Sequence, residues 1–431
     1  MSSSPTRGAY LLPRLQPGQH VHAFAVRFQR SGLRISDDKS FETGLSDSGG
    51  TGAHARREIP FNRAYITGQE LACIAESVST GALSGDGPFT KLCSDWLAAN
   101  TGSPEVLLTP SGTAALEMAA LLCDIKSGDE VIMPSFTFAS TANAFVLRGA
   151  VAVFVDIRPD TLNINEDLIE TAITARTKAI VAVHYAGVSC DMDAIMAIAN
   201  RHGLPVIEDA AHGLMATYNG RALGSIGHFG CLSFHETKPV VCGEGGALII
   251  NDPSYSRRAE IIREKGTNRG QFVRGQVDQY TWVDIGSSYL PAEMVAAFLW
   301  PQLQQAEHIT ACRLAVWQAY HDAFAALESA DRVRRPGNGT ACTHNAHLYY
   351  LLLPTTRRRT EFIESLKSAG IEARSHFVPL HSSPMGKKHG RVSGTMTNTS
   401  DLSARLVRLP LWMGVEKFQD AIISRVKVAL S

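Results

Sequence analysis

The sequence predicts an α/β protein: a large doubly wound sheet domain followed by a smaller α+β C-terminal domain. Three observations predict this. From about residue 105, short β-branched runs alternate with helix-period segments. Several of those runs are apolar on both faces, as strands covered by helices on either side must be. After about residue 290 the alternation stops and one long amphipathic helix begins, with strand and helix segments mixed behind it. Boundaries follow at 58–300 for the large domain and 301–431 for the small one.

The candidate strands are "EVLLTP", "EVIMPSF", "VAVFVDI", "AIVAVHYAG", "LPVIEDA", "CLSFH" and "GALIIN". Between them lie helical stretches such as "TAALEMAALLCDI" (113–125) and "CDMDAIMAIANRHG" (190–203). The second opens on Asp191, a good N-cap, and stops at Gly203, a natural C′ residue. In the C-terminal part, "PAEMVAAFLWPQLQQAEHITACRLAVWQAYHDAFAAL" places Ile309, Cys312, Val316, Tyr320, Phe324 and Leu327 on one face. Pro301 is expected to kink or divide that helix. The strand "HLYYLLLP", the helix "TEFIESLKSAG", the segment "IEARSHFVPLH" and two terminal helices complete the chain.

Composition narrows the function. The 431 residues balance 41 Lys and Arg against 41 Asp and Glu, so no global field draws nucleic acid or an acidic membrane. An anionic ligand must be held by local groups. Eight scattered cysteines contain no CxxC pair, which argues against zinc and disulfides and for a cytoplasmic setting. No apolar stretch approaches the ~20 residues of a membrane span. Residues 1–57 are rich in Ser, Gly, Thr and Pro and read as a disordered leader. Their first 36 residues, with five arginines and no acid, echo a transit peptide only faintly, and they carry no secretory h-region.

Three strand ends carry the chemistry. In "LLTPSGTAALEMAALL" a strand exits into Ser111, Gly112 and Thr113, and an apolar, buried helix starts at once. Free N–H groups at that start, with glycine for close approach and hydroxyls on either side, make a phosphate cradle. A plain N-cap explains the same residues if they are taken alone. The stretch lacks GK[ST], which disfavours a nucleoside triphosphatase. In "LPVIEDAAHG", Asp209 ends an apolar strand, where a carboxylate needs a cationic partner; a capping Asp beside a packed His212 is the bland alternative. In "CLSFHETKPVVCGEGGALIIN", Lys238 follows a strand and precedes Gly243, Gly245 and Gly246. Desolvation there disfavours the ammonium, and a neutral amine attacks aldehydes.

Cradle, buried acid and buried amine together meet the demands of pyridoxal phosphate. Its phosphate needs the first, its ring nitrogen the second and its aldehyde the third. The glycines are expected to let the backbone pass close to a planar ring.

The same residues resemble a known family. "PSGTAALEMAAL", "GDEVIMPSFTFASTANAFVLRGA", "VIEDAAHG", "SFHETKPVVCGEGGA" and "HFVPLH" are similar to the nucleotide-sugar aminotransferases of the DegT/DnrJ/StrS type, from about Ile59 to the C-terminus. The resemblance implies an aspartate-aminotransferase-like homodimer with two active sites at the subunit interface. It implies a nucleotide-linked keto sugar and glutamate as substrates. Lys238 would bind the cofactor's aldehyde and Asp209 its pyridine nitrogen; Gly112, Thr113 and Ser233 would hold the phosphate. Phe138 would stack on the ring, with core packing as its ordinary alternative, and His212 would lie near the phenolic oxygen. Asn268 would reach the phosphate of the partner's site, and His376 would lie near the sugar nucleotide. "REKGTNRGQFVRGQVDQYTWVDIGSSYL" and "IPFNRAYITGQE" look closest to a subgroup acting on dTDP-linked 4-keto-6-deoxy sugars; elsewhere the "GSSYL" position usually reads like "GYNYR". Some relatives are sugar dehydratases with His in place of the lysine, which Lys238 disfavours. A non-catalytic, cofactor-binding regulator is disfavoured by intact Asp209 and Lys238.

Overall fold

A computed structural model describes residues 58–431 apart from 338 and 340. The leader expected over residues 1–57 lies outside the described residues. Thirteen strands are present among the described residues: β1 Glu105–Thr109, β2 Glu130–Pro134, β3 Val151–Val155, β4 Thr177–Val183, β5 Val206–Asp209, β6 Thr217–Tyr218, β7 Arg221–Ala222, β8 Phe229–Ser233, β9 Gly246–Ile250, β10 Cys342–Thr343, β11 Tyr349–Leu352, β12 Gly390–Val392 and β13 Leu406–Leu409.

Eight of them form one sheet in the order β1-β9-β8-β5-β4-β2-β3-β12. All neighbours run parallel except β9, which is antiparallel to both β1 and β8. The sheet is therefore mixed, and the carboxyl ends of β1, β8, β5, β4 and β2 share one edge. Every strand expected between residues 105 and 251 is present. "AIVAVHYAG" stops at Val183 because Tyr185–Gly187 turns as a 3₁₀ segment. Not foreseen is β12, a C-terminal segment that returns to pair with β3.

The helices obey their caps. Asp191 Oδ1 accepts from Ala194 N, and Gly203 closes Met192–His202 with φ +62°. Helix Gly112–Leu122 is buried on nearly every side, packed between the sheet and its neighbours. The long C-terminal helix is divided, although not at Pro301. Pro301 lies within Glu293–Gln304, and the break falls at Gln305 before Ala306–Ala323 and Ala325–Ser329. Ile309, Val316, Tyr320 and Phe324 are buried along it.

Beyond that helix, β11 and β13 form an antiparallel pair. Around them Trp317, Tyr320, Phe362, Trp412, Ile422 and the early residue Ile59 build a separate apolar cluster. Ile59 reaches it through a parallel bridge to Ile371.

Candidate active site

The parallel strands bring their carboxyl ends to one cavity of about 740 Å³. Ser111, Gly112 and Thr113 after β1, Asp209 at the end of β5, and Ser233 and Lys238 after β8 all line it. The amine, the acid and the loop thus meet at one place, although 127 positions separate the first from the last (238 minus 111).

The loop is built by capping. Ser111 is extended (φ −165°, ψ 163°), and its Oγ accepts from Ala114 N at 3.0 Å. That hydroxyl is spent on the helix, while the amides of Gly112 and Thr113 find no acceptor among the described residues. Thr113 Oγ1 donates to Ser140 Oγ at 2.7 Å, which adds Ser140 to the cavity wall. A Cβ on Gly112 would meet Ser233 Cβ at 3.0 Å and Leu232 O at 3.1 Å, so glycine sets how closely the loop sits on β8.

The glycines after Lys238 do not serve a ring, contrary to expectation. A Cβ on Gly246 would lie 2.4 Å from Gly112 N and 2.4 Å from Ser111 C. Gly246 therefore lets β9 pass directly beneath the phosphate loop. Gly245 is pressed on Cys242 Sγ, and Gly243 turns the chain with φ +82°. Their work is to hold the loop and the turn in place.

Asp209 is buried and held from two sides. Its Oδ1 accepts from Ala211 N at 3.2 Å and its Oδ2 from Thr141 Oγ1 at 2.7 Å. Thr141 has a single hydroxyl proton and gives it to Asp209, so the 2.7 Å contact with Thr137 must be donated by Thr137. Both threonines come from the β2 end, and sequence inspection missed them. Hydroxyls at 137 and 141, four apart at a strand end, are the signal that was available.

The backbone N–H of Lys238 donates to His235 O at 2.8 Å, while its Nζ has no hydrogen-bond or ion-pair partner among the described residues. Burial pulls its ammonium from 10.5 down to about 8; Asp209 opposes that shift and Arg408 assists it. An appreciable share is therefore neutral amine at mildly basic pH.

The other expected residues fall as follows. Phe138 is 63% exposed and faces the cavity. His212 lines it too, stacked on His347 with ring centroids 3.8 Å apart. Its Nδ1 accepts from Ala186 N at 3.3 Å, which puts the proton of the neutral ring on Nε2. Burial holds His212 and His347 well below their usual range. His376 also lines the cavity, joined to Tyr185 Oη through Nδ1 at 3.0 Å, and burial takes it to about 2. Asn268 stands apart: it does not line this cavity, and its Oδ1 accepts from Thr281 N at 2.7 Å.

Pyridoxal phosphate suits these residues. The unpaired amine, the acid with lone pairs to spare, the loop amides without acceptors and the exposed aromatic ring answer its four parts. Fold and site together define a pyridoxal-phosphate-dependent aminotransferase. The chain matches the DegT/DnrJ/EryC1/StrS aminotransferase family over residues 64–427 and belongs to it.

It is 37% identical over 333 residues to an uncharacterized protein, MJ1066, of Methanocaldococcus jannaschii, spanning 76% of this chain and 86% of that one. Among solved structures, the aminotransferase TlmJ from Streptoalloteichus hindustanus superposes with a TM-score of 0.79 at 25% identity, covering 86% of this chain and 99% of that chain. The putative sugar aminotransferase Spr1654 from Streptococcus pneumoniae, in its PMP form, gives 0.80 at 26% identity over 86% and 98%. The protein is an aminotransferase that uses pyridoxal phosphate. Among the described residues no helix is long and apolar enough to cross a membrane.

Proposed function

We propose that the enzyme moves an amino group from glutamate to the 4-ketone of dTDP-4-keto-6-deoxyglucose, giving dTDP-4-amino-4,6-dideoxygalactose and 2-oxoglutarate. The observation that carries the transfer chemistry is the meeting of Lys238, Asp209 and the 111–113 loop in one cavity. The 4-keto, dTDP-linked substrate is supported by the stretches at 59–70 and 263–290, "GSSYL" above all.

When bound, the cofactor supplies a carbonyl to carry nitrogen and a ring to accept electrons. The protein does the rest. Gly112, Thr113 and Ser233 would hold the phosphate, and Asp209, oriented by Thr141, would pair with the pyridine nitrogen. Lys238 Nζ takes the proton from the donor's Cα, and in the second half of the cycle returns one to C4 of the sugar. His212 and His376, both neutral, line the wall and orient substrate without adding charge. Phe138 would stand beside the ring.

The enzyme is proposed to act as a cytoplasmic homodimer with shared sites. Asn268 of each subunit would then serve the other's phosphate. Support comes from the apolar surface near it: Val273, Trp282 and Ile285 are 68%, 75% and 53% exposed in the single chain. The eight cysteines are all unpaired, in keeping with a reducing compartment.

A panel of keto-sugar nucleotides tests the substrate. Each is incubated with enzyme and glutamate, and the product's amino position and configuration are read by NMR. A 4-amino galacto product from the dTDP sugar is expected. Amination of a 3-keto sugar, or preference for a UDP- or GDP-linked one, would refute the assignment. Absence of any transfer with every sugar would instead support a regulator or a dehydratase.

A further inference from the structure

Three arginines from the C-terminal part of the chain line the cavity, and they are committed very differently. Arg313 is buried and spends all three nitrogens on backbone: Nε on Ala346 O (3.2 Å), Nη1 on Leu411 O (3.0 Å) and Nη2 on His347 O (2.6 Å). Arg374 is neutralised by Glu372, with Nε on Oε1 at 2.8 Å and Nη2 on the same oxygen. Arg408 has neither fate.

Arg408 stands on β13, paired through its backbone with Arg374, and its guanidinium lies over the Phe61 ring at 4.6 Å. It makes one hydrogen bond, Nη2 to Ser375 O at 3.0 Å. Its Nε is buried with no partner. No carboxylate lies within ion-pair reach of it among the described residues. Burial lowers it to about 10, so it remains charged at neutral pH. Its charge is felt at Lys238, His212 and His376, which places it in the same part of the cavity as the reacting amine.

We propose that Arg408 seats the α-carboxylate of the amino-acid donor. The inference rests on the transaminase reading and names the residue that recognises its first substrate. A donor must bring its nitrogen to the position Lys238 Nζ serves, and its α-carboxylate is two bonds away from that nitrogen. Asp209 repels a carboxylate on one side, and the 111–113 loop is taken by phosphate on another. Arg408 is the cavity-lining guanidinium with uncommitted donors. A planar fork held flat on an aromatic ring presents two parallel N–H groups to a carboxylate at little entropic cost.

The test separates the two halves of the cycle in R408Q and R408K holoenzymes. Both variants should retain the cofactor's visible absorbance. Bleaching of that absorbance by L-glutamate should slow about a hundredfold in R408Q, the loss expected when a charged hydrogen-bond pair is removed, and less in R408K. Amination of the keto-sugar nucleotide by enzyme supplied with pyridoxamine phosphate should stay within about threefold of wild type, because that substrate brings no α-carboxylate for Arg408 to seat. Calorimetry with 2-oxoglutarate, a readout free of turnover, should show a comparable weakening in R408Q. Normal bleaching in R408Q would overturn the proposal. Equal loss in both halves would overturn it too, and would assign Arg408 to the sugar's diphosphate. Failure of the wild type to bleach with glutamate would remove the transaminase reading, and this inference with it.

Discussion

Asp209 Oδ2 and Thr141 Oγ1, both buried in the cavity wall, are joined at 2.7 Å across 68 positions of sequence. The bond fixes the rotation of the carboxylate, and with it the direction of the lone pairs left for the cofactor's nitrogen. T141V removes the donor and strands Thr137 as well. A hydrogen bond to a charged group is worth roughly 1.5–3 kcal/mol, so kcat is expected to fall about tenfold or more. T141S should restore most of it. Steady-state kinetics check this; an unchanged kcat in T141V would mean that Ala211 N alone orients the acid.

Lys238 is costly to the protein without its cofactor. Its pKa is about 8 in the folded chain against 10.5 when unfolded. Below pH 8 both forms are protonated, and the folded state carries the full penalty, on the order of 3 kcal/mol. Between pH 8 and 10.5 the unfolded chain binds more protons, so stability rises with pH across that window. Cofactor-free K238M should therefore be more stable than cofactor-free wild type at pH 7, and the gap should close by pH 10.5. Urea denaturation at the two ends of the window measures it. Parallel stability curves would show that Lys238 is solvated.

Much of this was legible in the sequence, and the losses have physical reasons. The large sheet was readable because doubly covered strands are apolar on both faces. Lys238, Asp209 and the 111–113 loop were readable because strand ends converge in such sheets. Thr141 was not, since two hydroxyls four apart at a strand end do not say which other strand's acid they will face. Arg408 was hidden likewise: many arginines look alike until ion pairing shows which one is unspent. Gly246 was seen and misread, because a glycine needed by a neighbouring loop and one needed by a ligand leave the same trace. The helix break at Gln305, rather than at Pro301, reflects packing that overrides a local proline signal.

Gly246 offers a direct test of how the phosphate loop is supported. An alanine there must displace backbone atoms of Ser111 and Gly112 from 2.4 Å, and backbone yields poorly. G246A should weaken cofactor binding at least about tenfold and cost about 1–3 kcal/mol of stability, as overpacking does. Gly243 also follows Lys238, yet a Cβ there meets nothing within 4 Å. G243A should cost about 1 kcal/mol through its positive φ while sparing the loop. Cofactor titration by absorbance compares the two. Equal losses of affinity would place the effect in the Lys238 turn instead.

Glu130 marks the opposite, amino end of the sheet, and its role is purely structural. Its carboxylate is fully buried at the start of β2, bonded by Arg391 Nε (3.0 Å) and Nη2 (2.7 Å), Arg176 Nη2 (2.5 Å) and Thr174 Oγ1 (2.8 Å). Arg391 belongs to β12, so this acid clasps the unforeseen edge strand to the sheet. The Arg391 hydrogen bonds hold Glu130 down at about 2 from 4.5. A depressed carboxylate contributes stability that is complete above about pH 4.5 and lost as pH falls towards 2. E130Q leaves two partly exposed guanidinium groups, Arg391 at 33% and Arg176 at 66%, without their acid and should cost about 1–3 kcal/mol at pH 7, while turnover per folded molecule changes little. Its stability should also fall less steeply than the wild type's between pH 4.5 and 2, where Glu130 titrates. Denaturation at pH 7 and pH 3 tests both parts, and an E130Q curve that keeps the wild-type slope would assign that slope to other carboxylates.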